Sequence, residues 1–305
     1  MAPDRVSLGI ALMLGFTVSA PLIDTFAKLS AAYVVVAQIV AARFVVQAVL
    51  LVPLSAMCGW AHRPARREMA LQCGRAVLIL VATGFFVTAL SIMPLADAVA
   101  IFFVEPFILI LLGTFILGEP NSWQRLTLCL IGLAGSWLVI QPNFAELGPA
   151  AFLPLGTAVA FACYMLLTRA MARQMHPVTL QGYTALAASL ILLPLLMVGH
   201  WLEIEALTMR WPSVEVMAML LGVGLASTVA HLFISFALSM APAGIIAPIQ
   251  YFEIVIAAIL GYWVFNDLPN PLAMIGIIVI IASGVGIYTR ERATERRLLR
   301  ELERG

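Results

Sequence analysis

Residues 89–142 recur 148 positions later in the same chain. Ala89-Leu90-Ser91-Ile92-Met93-Pro94 returns as Ala237-Leu238-Ser239-Met240-Ala241-Pro242, Glu105 falls on Glu253, and Glu119 falls on Asp267. A second echo aligns Gly15 and Lys28 with Gly156 and Arg169 at an offset of 141. The first apolar run is therefore one copy of a repeat and does not read as a cleaved leader. A chain written twice must fold as two related halves. Matching carboxylates inside apolar runs point to halves that share a polar site within a membrane.

Composition identifies the solvent. Hydrophobic residues fill 63% of the 305 positions and charged residues 11%, against roughly 45–50% and about 25% in soluble chains. A single soluble core of this length cannot bury that much apolar surface, so the fold class expected is an all-α membrane protein. Lys28 is the only Lys. With no G-x-x-x-x-G-K stretch there is no P-loop, and energy must come from a gradient or from a partner. A net charge of +1 gives no sign of nucleic-acid binding. Cys58, Cys73, Cys129 and Cys163 lack C-x-x-C spacing and nearby histidines, so they read as apolar filling, with no metal and no cofactor implied. No nucleophile–base pair appears either, and an enzyme is not expected.

A spanning helix needs about 20 mainly apolar residues. Charges, Pro and Gly divide the chain into ten such segments: 8–29, 33–57, 74–92, 95–117, 123–140, 150–171, 178–199, 215–239, 243–265 and 271–289. If the N-terminus is cytoplasmic, the inner side holds Arg5, Arg63, Arg66, Arg67, Arg75, Arg125, Arg169, Arg173 and six tail arginines. The outer side then holds Lys28 and Arg210. That bias places both termini inside, which ten spans satisfy. Five helices per half invert the second half relative to the first. The expected architecture is two inverted five-helix repeats, 8–140 and 150–289, followed by a basic cytoplasmic tail, 290–305, lying on the inner surface.

Each half resembles the EamA domain of the drug/metabolite transporter superfamily. In the first half the resemblance rests on Glu105-Pro106, Gly118-Glu119, Gln124, Gly132 and Gly135. In the second it rests on Ala237-Leu238, Pro242 and Gln250-Tyr251-Phe252-Glu253. Two positions depart from the pattern. Ile254 stands where Pro is usual, so the ninth span is expected to lack the kink of the fourth, and Asp267 replaces Glu. The resemblance implies a bacterial inner-membrane carrier of a small metabolite, such as an amino-acid exporter or a carrier of riboflavin or nucleotide-like compounds.

Several residues within the spans are candidates for a site. Glu105 and Glu253 lie about eleven residues into their spans, where a charge costs ~2.5–3.5 kcal/mol on insertion scales. They read either as proton-coupling or substrate-amine contacts, or as protonated acids bonded between helices. Arg43 is equally deep and reads as an anchor for a substrate carboxylate or as the ion-pair partner of Glu105; Thr184 occupies its place in the second half. His231 reads as a proton relay or as a hydrogen-bonded core histidine. Asp24, Lys28 and Asp97 form a candidate outer gate or are charges solvated at the interface. Phe102, Phe103, Tyr251, Phe252, Phe85, Phe86, Trp137 and Tyr164 can supply a stacking box, with packing as the default, and at most one of each adjacent pair faces a cavity. Gln250 and Tyr164 join Arg43 and the glutamates as substrate-binding candidates. Gly132/Gly135, Gly222/Gly224 and Gly284/Gly286 permit close helix approach.

The function expected is a secondary carrier of a planar or zwitterionic compound, working by alternating access with a proton as the suspected coupling ion. Its partners are the substrate and the lipid bilayer, and the fold can work as a monomer. The competing class is a scaffold or sensor without a transport cycle.

Overall fold

The computed structural model describes residues 5–61, 64–92, 98, 101–119, 122–141, 148–172, 174–256, 259 and 271–302, and among these it contains helix and no strand. Ten helices follow one another: α1 Val6–Ala31, α2 Val36–Met57, α3 Arg66–Ile92, α4 Glu105–Leu117, α5 Trp123–Ile140, α6 Phe152–Ala172, α7 Pro177–Trp201, α8 Val214–Met240, α9 Ala243–Ile256 and α10 Pro271–Leu302. Within the described residues, all but α4 and α9 are long and apolar enough to cross a membrane.

In their described residues, the segments expected as unbroken spans at 95–117 and 243–265 contain irregular backbone. Residues 101–102 are helical, Phe103 and Val104 form a turn, and α4 starts afresh at Glu105. Pro106 falls in the first turn of α4, where its missing N–H costs nothing, so it opens a helix instead of kinking the middle of one. Gly118 closes α4 in the left-handed region, with φ +63. In the second half α9 begins as an α-turn over Ala243–Ile246 and tightens to 3₁₀ over Ala247–Tyr251. The irregularity expected to be missing from the ninth span is therefore present, with Pro248 inside it. With the 148-residue offset Phe103 corresponds to Tyr251, so both copies are irregular at the same place.

Helix pairing follows the repeat. α1 packs on α8 and α3 on α6, while α2 packs on α7, α5 on α10, and α4 against the start of α9. Exchanging the halves turns α1–α8 into α6–α3 and returns the other pairs to themselves, as a two-fold axis requires. Single residues repeat the relation. A Cβ at Gly15 would come 3.0 Å from the Phe233 ring, and one at Gly156 would come 2.8 Å from the ring of Phe85. Gly15 and Gly156 are counterparts, and so are Phe85 and Phe233.

The outer faces are apolar, with Phe115, Val49 and Leu190 exposed. The interior holds Arg75, Gln47, Glu105, Thr184 and Ser227, none of which reaches the surface. This reversal of the soluble pattern follows from lipid as the surrounding solvent. Small residues let the helices close: a Cβ at Gly276 would stand 2.6 Å from the Gly135 carbonyl, and one at Gly132 would meet the Tyr251 ring.

Candidate functional site

The irregular starts of α4 and α9 meet at the centre of the bundle. The Tyr251 hydroxyl donates to the Phe103 carbonyl at 3.0 Å, and the two rings lie 5.8 Å apart. Residues that are counterparts in the repeat and touch one another must sit close to the two-fold axis. Two positions on, Glu105 is fully buried and its Oε2 accepts from Gln250 Nε2 at 3.0 Å. Its Oε1 has no partner among the described residues. Gln250 also approaches Met165 Sδ at 3.6 Å, which brings α6 to this junction. The Cys129 thiol lies 3.8 Å from the Tyr251 hydroxyl.

A second polar cluster is centred on Tyr164 of α6. Its hydroxyl donates to Gln181 Oε1 at 3.2 Å, accepts from Arg75 Nη2 at 3.3 Å, and meets His231 Nδ1 at 3.1 Å. A phenol has one proton, and Gln181 takes it. The bond with His231 therefore runs from the imidazole Nδ1–H, and Nε2 is left as the acceptor that faces Arg43. In this network His231 is neutral. A proton on Nε2 would point at the N–H of Arg43, so a relay through His231 requires Arg43 to withdraw first.

The same network extends along α2, α3 and α7. Gln181 Nε2 donates to Gln47 Oε1 at 2.8 Å. Arg75 donates to Thr184 Oγ1 at 2.5 Å, to the Leu180 carbonyl at 3.1 Å, to Gln72 Oε1 at 3.3 Å and to Thr168 Oγ1 at 3.2 Å. Among the described residues every partner of this buried guanidinium is neutral. Rings join the two clusters: Phe102 contacts Phe161 at 5.8 Å, Phe161 stacks on Tyr164 at 5.7 Å, and Phe103 neighbours Phe102.

Several candidates from the sequence thus come together. Arg43, Tyr164 and His231 share one network, while Glu105, Gln250, Tyr251 and Phe102 surround the broken helices. Glu105 bonds Gln250 and not Arg43, so the ion pair considered between Arg43 and Glu105 is not formed. Glu253 differs from its counterpart in being half-buried. Phe86 reaches Phe102 at 5.9 Å, but Phe85 packs on Gly156 and Trp137 is exposed, so neither of those two belongs to a ring box. The side chains of Asp24 and Lys28, and Asp97 and Asp267 entirely, lie outside the described residues. Arg75 and Arg169, expected as charges on the inner side, are buried inside the bundle. Arg169 Nε pairs with Glu119 Oε1 at 2.8 Å, its Nη1 donates to the Leu238 carbonyl at 2.8 Å, and the pair joins the two halves. Sequence reasoning passed over Arg75, Gln72, Gln47 and Gln181. The available signal was helical spacing: Gln47 stands four residues after Arg43, and Gln181 three before Thr184.

The model of the EamA-like transporter family matches residues 7–141 and again 148–289. The S-adenosylmethionine uptake transporter of Rickettsia prowazekii is 25% identical over 72% of this chain and 71% of its own length. A riboflavin transporter of Brucella anthropi is 26% identical over 83% and 88%, and a pseudopaline exporter of Pseudomonas aeruginosa 24% identical over 94% and 98%. One solved crystal structure superposes with a TM-score of 0.75 at 18% identity, covering 92% of this chain and 95% of that one, which is a likeness of fold alone.

Proposed function

This chain belongs to the EamA-like transporter family, and from that premise we propose that it is a secondary active carrier of a small polar metabolite, working by alternating access. Its relatives are named as transporters, and the fold is a multi-pass membrane protein whose partner is a small molecule in a lipid setting. The observation that carries the reading is the junction on the two-fold axis. Two discontinuous helices meet there, with a buried carboxylate at the break. Broken helices at the midplane are how membrane carriers expose backbone and charge to a cargo.

The cargo class we infer is a planar or zwitterionic compound, with an amino acid as the leading case. Glu105 Oε1 offers an acceptor to an amine, Phe102, Phe161 and Tyr164 offer ring faces, and Arg43 lies across the same interior. An amino acid that carries a nucleoside, as S-adenosylmethionine does, fits all of these; riboflavin fits the rings alone and is the second reading. The proton is the proposed coupling ion, through Glu105 or Glu253. The proposed setting is the bacterial inner membrane with both termini cytoplasmic, and the unit is a monomer.

Flux into liposomes holding the purified protein tests this reading. Labelled S-adenosylmethionine, tryptophan and riboflavin are offered with and without a proton gradient. Uptake of at least one above protein-free liposomes, accelerated by the gradient, is expected. No uptake of any of them with correctly folded protein would leave a scaffold or sensor as the better account.

A further inference from the structure

The Tyr164 network contains buried donors that no acceptor among the described residues satisfies. Both lone pairs of the Tyr164 oxygen are taken, by Arg75 Nη2 and His231 Nδ1, and its proton is given to Gln181. Gln181 Oε1 receives that proton and Gln47 Oε1 receives the Gln181 amide. Each of these amide oxygens accepts one bond and keeps a second lone pair, yet some donors beside them are unused. Gln47 Nε2 is fully buried and has no partner among the described residues. The Ser227 hydroxyl, one turn before His231 on α8, is in the same condition. Nη2 of Arg75 carries two protons, and among the described residues only Tyr164 accepts from it. No carboxylate compensates Arg75 among the described residues, although an uncompensated buried charge is costly. Buried donors without acceptors are rare enough to need a reason.

We propose that this cage, built from Gln47, Arg75, Tyr164, Gln181 and Ser227, receives an acidic group of the cargo, either a carboxylate or a phosphate. An anionic oxygen supplies the acceptors that the cage lacks, and Arg75 supplies the opposite charge. A planar fork of N–H groups suits both kinds of oxyanion. The placement follows from the helices: α2 and α3 of one half and α6, α7 and α8 of the other all contribute, so the acidic group is held between the halves that must move. The proposal rests on the carrier reading above and deepens it, because it selects acids over their neutral analogues. Arg75 is then a substrate-binding residue, where the sequence reading counts it as an inner-side charge at the start of the third span.

Equilibrium binding to the purified full chain in detergent tests the cage without requiring transport. The probes are pairs that differ in one acidic group: tryptophan and tryptophanamide, methionine and methioninamide, riboflavin 5′-phosphate and riboflavin. Wild-type protein is expected to bind the acid of at least one pair about tenfold or more tightly than the partner that lacks the acidic group, as hydrogen bonds to a charged group require. A preference confined to the amino-acid pairs assigns a carboxylate, and one confined to the flavin pair assigns a phosphate. Gln47→Leu keeps the side-chain volume and is expected to reduce the preference to within about threefold; Arg75→Lys, which keeps charge but loses the fork, should do the same. Equal binding within every pair overturns the proposal, and so does an undiminished acid preference in folded Gln47→Leu. Acid preference without flux in liposomes would retain the cage and remove the carrier reading. Flux without acid preference would do the reverse.

Discussion

Glu105 and Glu253 are counterparts in the repeat, yet their neighbours separate them. Gln250 supplies the amide that bonds Glu105, and the counterpart of Gln250 is Phe102, which cannot bond Glu253. Glu105 is buried on the two-fold axis and Glu253 is half-buried. The asymmetry predicts unequal mutants: Glu105→Gln should lower proton-driven flux by about tenfold or more, with Glu253→Gln within about twofold of wild type, since an ionisable group deep in a membrane is there for function. Equal losses in the liposome assay would show that burial does not distinguish them. Arg43, Glu105 and His231 were legible in the sequence because a charge inside an apolar run stands out. Arg75 was not, because it follows Arg63, Arg66 and Arg67 and looks like one more inner-side cation. Its partners, Thr168, Leu180 and Thr184, lie about ninety residues or more away in sequence, and only the packing of α3 on α6 and α7 brings them together.

Among the elements, the spans were legible wherever lipid contact fixes composition, and their ends were not. Reading spans between charges cut the third at residue 74, whereas α3 starts at Arg66. There Glu68 accepts from the Ala65 amide at 2.9 Å, so the helix begins where it leaves the apolar zone. α10 likewise continues as helix to Leu302, through the segment expected as a separate tail. The breaks before α4 and within α9 were hidden, because apolar composition continues through a turn whose backbone groups are satisfied inside the bundle. The glycines were legible as contact points, and the structure grades them. Gly276→Ala places a methyl against the Gly135 backbone, and overpacking of this kind costs about 1–3 kcal/mol. Gly84 has open space around it within α3, so Gly84→Ala should be neutral or stabilising by about 0.4–1 kcal/mol. Thermal unfolding of both variants in the same detergent checks the ordering; a Gly276→Ala protein as stable as wild type would mean that α5 and α10 do not pack this closely.

For the whole molecule, the helix pairing is consistent with the repeat, since exchanging the halves turns α1–α8 into α6–α3. Of the fourteen arginines expected on the inner side, Arg75 and Arg169 are buried in the bundle and do not act as surface charges. The remaining twelve still outnumber Lys28 and Arg210, so reporters after Gly305 and in the 200–214 loop should read inside and outside; the same side for both would break the ten-span order. Arg169 instead ties α6 to Glu119 at the end of α4. Removing one partner of a buried pair costs about 3–5 kcal/mol, so Arg169→Gln should lower the unfolding temperature clearly, and Glu119→Gln combined with Arg169→Gln should lower it less. If the halves rock about the Phe103–Tyr251 contact, this end must open once per cycle. The most direct test replaces the pair with Glu119→Cys and Arg169→Cys in a chain whose Cys58, Cys73, Cys129 and Cys163 have been changed to Ser, and joins the new thiols with a short, reducible bifunctional reagent. Alternating access predicts that the linked protein in liposomes loses its flux and regains it on reduction. Undiminished flux through fully linked protein would contradict the account.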